Sequence, residues 1–210
     1  MRGRFITFEG PEGCGKTTQV GLLASWLTSQ GLDLVVTREP GGTPIGEKIR
    51  DLLHDRHHTE MTPEAEILLY SAARAQHVAR VIRPALEAGK LVLCDRFYDS
   101  TYAYQGYGRG LPMEALRHIT TFATGGLTPD LTVYLDVAPE VGLRRRQKSG
   151  EALNRLDLEA LDFHRRVQAG YLDLISAEPN RWRAVDASGS IETVQSIIRG
   201  VVMDMLSSDS

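Results

Sequence analysis

With 210 residues and 23.2 kDa, the chain has room for one full-sized globular domain and not for two; at 42% apolar and 24% charged it is neither disordered nor fibrous in composition. A net charge of -3 and a pI near 6.1, with no long block of like charges, exclude a surface built to coat polymeric nucleic acid by releasing its counterions. Cys14 and Cys94 stand in no metal-ligand spacing, which excludes a disulfide scaffold or structural zinc site. Neither residues Met1 to Phe5 nor any apolar run has the make-up of a signal peptide or a membrane span; a reducing, cytoplasmic setting without membrane contact is expected.

The first element is an apolar run, Phe5 to Glu9, read as a strand buried on both faces. It feeds Gly10-Pro11-Glu12-Gly13-Cys14-Gly15-Lys16-Thr17, a full match to GxxxxGK[ST] between a strand and a helix. Glycines there let successive N–H groups converge on phosphate oxygens, and the helical pattern Lys16 to Ser29 starts with its positive end at the same point. The segment Gly10 to Thr18 is thus the expected phosphate loop, with Lys16 on the β- and γ-phosphates and the Thr17 hydroxyl on Mg²⁺. Glu12 is out of character in such a cradle. It either points to solvent or faces a second ligand that offers a hydroxyl.

The next apolar run, Leu32 to Thr37, leads into Thr37-Arg38-Glu39-Pro40-Gly41-Gly42-Thr43-Pro44, a rigid loop that carries Arg38 to the same mouth. His54, His57 and His58 lie beyond it on a polar stretch read as loop. A helical pattern follows over Ala65 to Ala88 and stops at Gly89; on it Tyr70 and Arg74 are four apart and share a face, an aromatic plate beside a two-donor fork suited to a nucleobase. The third run, Lys90 to Asp95, delivers Asp95 beside the phosphate loop to hold Mg²⁺ or its water shell. Asp136, ending the fourth run, is the rival. Arg96 faces an acceptor phosphate, and Arg96 to Gly110 reads as loop.

A helix over Met113 to Ala123 and the fourth run, Leu131 to Asp136, come next. The strongest basic concentration follows: Arg144, Arg145, Arg146, Lys148, Arg155, Arg165 and Arg166, interrupted by Gly150. Helix, break and helix over about 141–157 read as a lid that closes arginines on the phosphate donor, a charge the phosphate loop, which has no arginine, does not supply. A helix over Leu156 to Ala177, a strand over Trp182 to Asp186 and a helix over Ile191 to Leu206 complete the chain. The strict alternation predicts one α/β domain over 1–210, a parallel sheet covered on both faces, with ligands beyond the carboxyl ends of its strands. Only Lys16, Lys48, Lys90 and Lys148 of the 24 basic residues are lysine; codon bias in an arginine-rich genome is the plain reading, although arginine forks also suit phosphate and carboxylate groups.

GPEGCGKTT, TREPGGT, Tyr70-Ser71-Ala72-Ala73-Arg74, DRFYDSTYAYQG and Asn154-Arg155-Leu156-Asp157, in that order along nearly the whole chain, resemble the thymidylate kinases. The resemblance implies the nucleoside-monophosphate-kinase fold with a five-stranded parallel sheet, a homodimer, and transfer of the γ-phosphoryl group of ATP to dTMP, giving dTDP. It also implies the bacterial subtype whose catalytic arginine lies in the lid. Carried over by position, it assigns Glu12 to the deoxyribose 3′-hydroxyl, Arg38 and Arg96 to the acceptor phosphate, Tyr70 to stacking on thymine and Arg74 to its O4. Thr101 and Gln105 would read the N3 edge, Tyr104 would crowd the 2′ position, Arg155 would stabilise the migrating phosphoryl group, and Arg144 would pack on adenine. Tyr70 stands where members commonly have phenylalanine, and Asn154 and Asp157 stand where related lids often have Asp and Glu. Of two competing readings, a deoxynucleoside kinase would need a base near a 5′-hydroxyl, and a GTPase-type switch would need the NKxD motif, which the chain lacks.

Overall fold

Five short apolar runs lie side by side, the three central ones under cover and the two edge ones partly exposed. The computed structural model describes residues 3–148, 150 and 152–207. In it β1 (Phe5–Glu9), β2 (Leu34–Arg38), β3 (Leu91–Asp95), β4 (Leu131–Asp136) and β5 (Trp182–Asp186) form a parallel sheet in the order β2-β3-β1-β4-β5. Central β1 pairs Phe8 with Asp95 of β3 on one side and with Val133 of β4 on the other. The chain leaves β1 for β2 in one direction and later crosses to β4 in the other, so the crevice at the carboxyl end of β1 is the switch point where open α/β sheets hold ligands.

Alternate residues sort the core into two layers. Phe5, Val92, Cys94, Tyr134 and Trp182 face a cluster with Phe97, Tyr104, Phe163 and Tyr171. Ile6, Phe8, Leu93, Val133, Leu135 and Val185 face Val20, Leu23 and Leu27 of α1 (Lys16–Ser29) and Val194, Ile198 and Val202 of α9 (Ile191–Ser207).

Four stretches differ from the sequence-based expectation, three of them before β4. The loop after β2 contains a helix, α2 (Pro44–His54), opened by the Thr43 hydroxyl, which accepts from Gly46 N at 3.0 Å, and by Pro44 at the first helical position. The helical stretch ending at Gly89 is three pieces, α3 (Pro63–His77), a π-turn over Val78–Ile82 and α4 (Arg83–Glu87); Pro84 has no N–H to return to the preceding turn, and the ladder widens there. The expected loop after β3 is wound into α5 (Tyr98–Thr101) and a π-turn over Tyr102–Gly108. That winding brings Thr101, Tyr104 and Gln105 to one face.

After α6 (Met113–Thr124) and β4, α7 (Pro139–Lys148) passes so close to the phosphate loop that a Cβ on Gly142 would come 2.1 Å from Glu12 O, and one on Gly13 2.0 Å from Gly142 O. The helix expected from Leu156 starts later, as α8 (Leu161–Ala177). The Asn154 side-chain oxygen accepts from Leu156 N at 2.8 Å and Asp157 N at 3.0 Å, a local turn that competes with helix.

One buried ion pair ties these layers together. Arg181, just before β5, forks onto the fully buried Asp99 of α5 at 2.7 and 2.9 Å and also donates to Thr132 Oγ1 of β4 at 2.7 Å. Arg181→Ala strands the Asp99 carboxylate, and urea unfolding at neutral pH is expected to show a loss of about 3–5 kcal/mol. A loss under about 1 kcal/mol, the range of an exposed pair, would contradict this account.

Candidate active site

The carboxyl ends of β1, β2 and β3 open into a cavity of about 390 Å³. Its wall takes Glu12, Gly13, Gly15, Lys16, Thr17 and Thr18 from the phosphate loop, Arg38 and Glu39 after β2, and Arg50 and His54 from α2. Tyr70 and Arg74 come from α3, and Asp95, Arg96, Thr101, Tyr104 and Gln105 from β3 and the winding after it. Gly10, Pro11 and Cys14 shape the loop from behind: Lys16 Nζ donates to Gly10 O at 3.1 Å, Pro11 O at 3.0 Å and Cys14 Sγ at 3.3 Å. Gly15, at φ 96°, has open space where a Cβ would stand, so its backbone can meet a ligand directly. Thr17 Oγ1 donates to Asp95 Oδ2 at 2.7 Å. Asp136, the rival carboxylate, accepts from Gln168 instead.

Arg96 is the hub. Its backbone sits at φ 69°, an uncommon conformation for a side-chain-bearing residue that surrounding contacts must enforce. Arg96 N donates to Phe8 O at 2.9 Å. One arm of the fork donates to Gly10 O, Ser100 Oγ and Tyr171 OH, and the other to Glu12 Oε1 at 2.8 Å and Tyr104 OH at 3.1 Å. Glu12 therefore does not point to solvent. Burial pushes its carboxyl up, but Arg96 and Lys16 outweigh that and hold it at about 2. Glu9 lies beneath, out of the cavity wall. It accepts from Phe97 N at 2.8 Å, Ser100 Oγ at 2.6 Å and Tyr171 OH at 2.8 Å, and burial, with Asp99 nearby, lifts its carboxyl to about 7.

At the other end, Arg74 is held from behind. Glu39 Oε2 accepts from Arg74 Nε at 2.7 Å, Glu39 Oε1 pairs with His77 Nδ1 at 3.1 Å, and His77 Nε2 meets Thr37 Oγ1 at 2.6 Å. Arg74 Nη1 donates to Thr101 Oγ1 at 3.0 Å, while Gln105 Nε2 donates to Glu66 Oε1 at 2.7 Å. Tyr104 OH donates to Glu12 Oε1 at 2.9 Å, and burial raises the Tyr70 and Tyr104 phenols. Arg38 is half-exposed, with Nη2 on Glu47 Oε2 at 2.7 Å.

The arginines of the expected lid divide. Arg145 and Arg146 line the cavity; Arg145 forks onto Ala187 O and Ser188 O, and Arg146 Nε donates to Asp157 Oδ2 at 3.2 Å. Arg144 donates to Glu140 O in its own helix, and neither it nor Arg155 belongs to the wall. Arg155 rests on the Glu66 carboxylate, with Nε on Leu53 O at 3.4 Å. Asn154 and Asp157 build the turn behind these contacts.

Sequence reading passed over Glu9, Glu39, Glu66 and His77, along with Arg50 of the unanticipated α2; His54, expected on a polar loop, instead ends that helix and lines the cavity. Glu66 had a signal: Glu66, Tyr70 and Arg74 repeat every four residues and share the face on which the last two were found.

Residues 8–198 match the family model described as thymidylate kinase. The chain is 52% identical over 215 residues to a thymidylate kinase of Roseiflexus sp. (strain RS-1), covering 97% of this chain and 95% of that protein. It is 48% identical over 207 residues to one of Bacillus licheniformis, covering 98% of each. Among solved structures, the crystal structure of thymidylate kinase from Ehrlichia chaffeensis is similar with a TM-score of 0.79 at 31% identity, over 96% of this chain and 100% of that one.

Glu9 makes stability depend on pH. Between about 4.5 and 7 the folded state keeps a proton that the unfolded chain has lost, so this contribution, roughly 3 kcal/mol, is present at the acid end and is lost as pH rises to 7. Measured by urea unfolding, the stability of the unsubstituted chain minus that of Glu9→Gln is expected to fall by about that much over the interval. Parallel profiles would show that Glu9 ionises normally.

Proposed function

The chain belongs to the thymidylate kinase family, transferring the γ-phosphoryl group of ATP to dTMP to give dTDP and ADP on the way to dTTP, and we propose how its own residues divide that work. The observation that carries the reading is a single cavity joining a phosphate loop, with Lys16 and Thr17, to two carboxylate-anchored arginines, Arg96 and Arg74. One end suits a donor triphosphate and the other a nucleoside monophosphate.

In this reading the loop from Gly10 to Thr18 binds the ATP phosphates through its N–H groups, with Lys16 adding the charge that meets the β- and γ-phosphates. Mg²⁺ takes few protein ligands and keeps most of its shell from phosphates and water. The Thr17 hydroxyl, with Asp95 behind it at 2.7 Å, fits that sparse demand; when bound, the ion neutralises phosphate charge. Arg96 and Arg38 hold the dTMP phosphate. Glu12, kept ionised, accepts the 3′-hydroxyl, and Tyr104, fixed by its bond to Glu12, fills the space a 2′-hydroxyl would need. Tyr70 stacks on thymine, Arg74 donates to O4, and Thr101 and Gln105 meet N3. A carboxyl held near 2 is a poor base for a 5′-hydroxyl, which counts against a nucleoside as acceptor.

Transfer is in line and needs no covalent intermediate. Positioning and charge supply the rate, and Arg155 of the lid adds charge to the migrating group after leaving Glu66, with Arg144 toward adenine. A specific observation favours a second candidate for the Arg155 role: Arg145 and Arg146 already line the cavity. The reading includes a single kinase domain over 1–210 with its lid at about 141–157, and a homodimer in the cytoplasm. Exposed Leu68 of α3 and Phe122 of α6, on helices that touch, support a second copy. Among the described residues no helix is long and apolar enough to cross a membrane.

A coupled ADP-release assay over a panel of nucleosides and nucleoside monophosphates with MgATP is expected to single out dTMP. Strong turnover of thymidine with none of dTMP would overturn the reading. Arg155→Ala is expected to lower kcat by roughly 10³-fold, as loss of an arginine finger does. Near-normal turnover, with Arg146→Ala inactive, would transfer the role to Arg146.

A further inference from the structure

Gln105 lines the cavity wall beside Thr101 and Arg74. An amide carries a donor on one side and an acceptor on the other, so a glutamine free to rotate reads both thymine, whose N3 is a donor, and cytosine, whose N3 is an acceptor. Something must fix which side faces the base. That fixing group stands behind it: Gln105 donates through Nε2 to Glu66 Oε1 at 2.7 Å, and Glu66, on α3, is 1% exposed. Arg109 donates to both Glu66 oxygens, at 3.4 and 3.2 Å, and Arg155 to Oε2. Burial pushes the Glu66 carboxyl up, but its bonds from Gln105 and Arg109 prevail and hold it low, and an ionised carboxylate only accepts. The orientation of the Gln105 amide thus follows from the chemistry of Glu66, since only the amide nitrogen can donate to an ionised carboxylate. Its nitrogen is committed to Glu66, and no donor among the described residues takes its oxygen.

We propose that Glu66 is a positioning residue for base selection: by taking a hydrogen bond from the nitrogen of Gln105 it fixes the amide and turns its carbonyl oxygen to the base, so the site accepts an N3–H and disfavours a bare N3. This rests on the reading that Gln105 meets the base edge. A base with a bare N3 would set acceptor against acceptor, and a site with a buried polar group left unpaired discriminates strongly. Arg74 reinforces the choice at the neighbouring atom, since a guanidinium has donors only and cannot accept from an exocyclic amine. Glu39 fixes Arg74 from behind as Glu66 fixes Gln105. Uracil shares the N3–H, so the device separates pyrimidines by hydrogen-bond polarity and is silent about the 5-methyl group.

The test compares kcat/KM for dTMP and dCMP, both with MgATP, in the unsubstituted chain and three variants. Glu66→Gln replaces an acceptor-only group with one that can also donate, so the Gln105 amide can turn. The dTMP-to-dCMP ratio is expected to fall at least tenfold, whatever happens to kcat through the loss of the Arg155 contact. A proportional loss for both substrates, with the ratio unchanged, would overturn the proposal and leave Glu66 a structural residue. Glu66→Asp keeps an acceptor-only group; it is expected to hold the ratio within about threefold of the original even where overall activity drops, and a collapse of the ratio there would equally overturn the proposal. This variant decides the matter if Glu66→Gln does not fold. Gln105→Ala separates the two levels. If it leaves the ratio untouched, the reading of Gln105 as a base-contacting residue fails; if it lowers the ratio and Glu66→Gln adds nothing further in that background, Glu66 acts through Gln105.

Discussion

A guanidinium taken out of water must find acceptors in the protein, and in this cavity the acceptors are carboxylates that would themselves be untenable without it. Arg74 and Glu39 are 2% and 4% exposed at their side chains, Arg96 and Glu12 15% each. Neither member of either pair can turn toward solvent cheaply, so each fixes the other in place. Geometry that a mobile surface arginine would supply only part of the time is present before any nucleotide arrives. The rest of the structure serves these pairs: the left-handed backbone at Arg96, the Ser100 and Tyr171 hydroxyls that link it to Glu9, and the His77–Thr37 contact that braces Glu39.

The sheet order makes the pairs possible. Glu12 follows β1, Glu39 follows β2 and Arg96 follows β3, and because β1 and β2 flank β3, residues from distant parts of the chain emerge together at one edge. Close approach of α7 to the phosphate loop, permitted by glycine at positions 13 and 142, brings the lid helix to the same place. A side chain at either glycine would force the layers apart and pull Arg145 and Arg146 away from the cavity.

The three central strands were legible because burial on both faces leaves continuous apolar runs, and the phosphate loop because few arrangements other than a phosphate cradle call for three glycines and a lysine at that spacing. Asp95 and Arg96 could be placed at the cavity from a strand end, whereas helix periodicity gave Tyr70 and Arg74 only a shared face, and it took the neighbouring motifs to place them at the cavity. What escaped was the supporting layer. Glu9 looked like the end of an apolar strand, Glu39 like part of a rigid loop, and Glu66 was one position of a helical pattern; a carboxylate that anchors an arginine 35 residues away leaves no local pattern. α2 was missed although Thr43, Pro44 and Glu47 carry an ordinary helix start, because the glycines just before it read as loop. The contact of Arg155 with Glu66 was out of reach for a different reason: sequence spacing gives membership of a basic segment and says nothing of where that segment rests.

The distribution of charge also explains how a slightly acidic chain takes two polyanions. Arg96 is already satisfied by protein acceptors and cannot travel to meet a phosphate; it can only define where one comes to rest. Arg38 is the opposite case, 50% exposed and paired with a 43% exposed Glu47, an arrangement worth little in water and therefore exchanged at small cost for a phosphate dianion. Arg50, on the same wall, has its guanidinium pKa lowered by burial and then by the nearby Arg38, and two like charges held close are relieved by a dianion that reaches both. In the proposed reading, capture and placement fall to different arginines, exposed Arg38 with half-buried Arg50 attracting and buried Arg96 aligning. A high net charge would strengthen only the first of these, and would do so for every polyanion alike; the buried pairs supply the second, which is the step the chemistry needs.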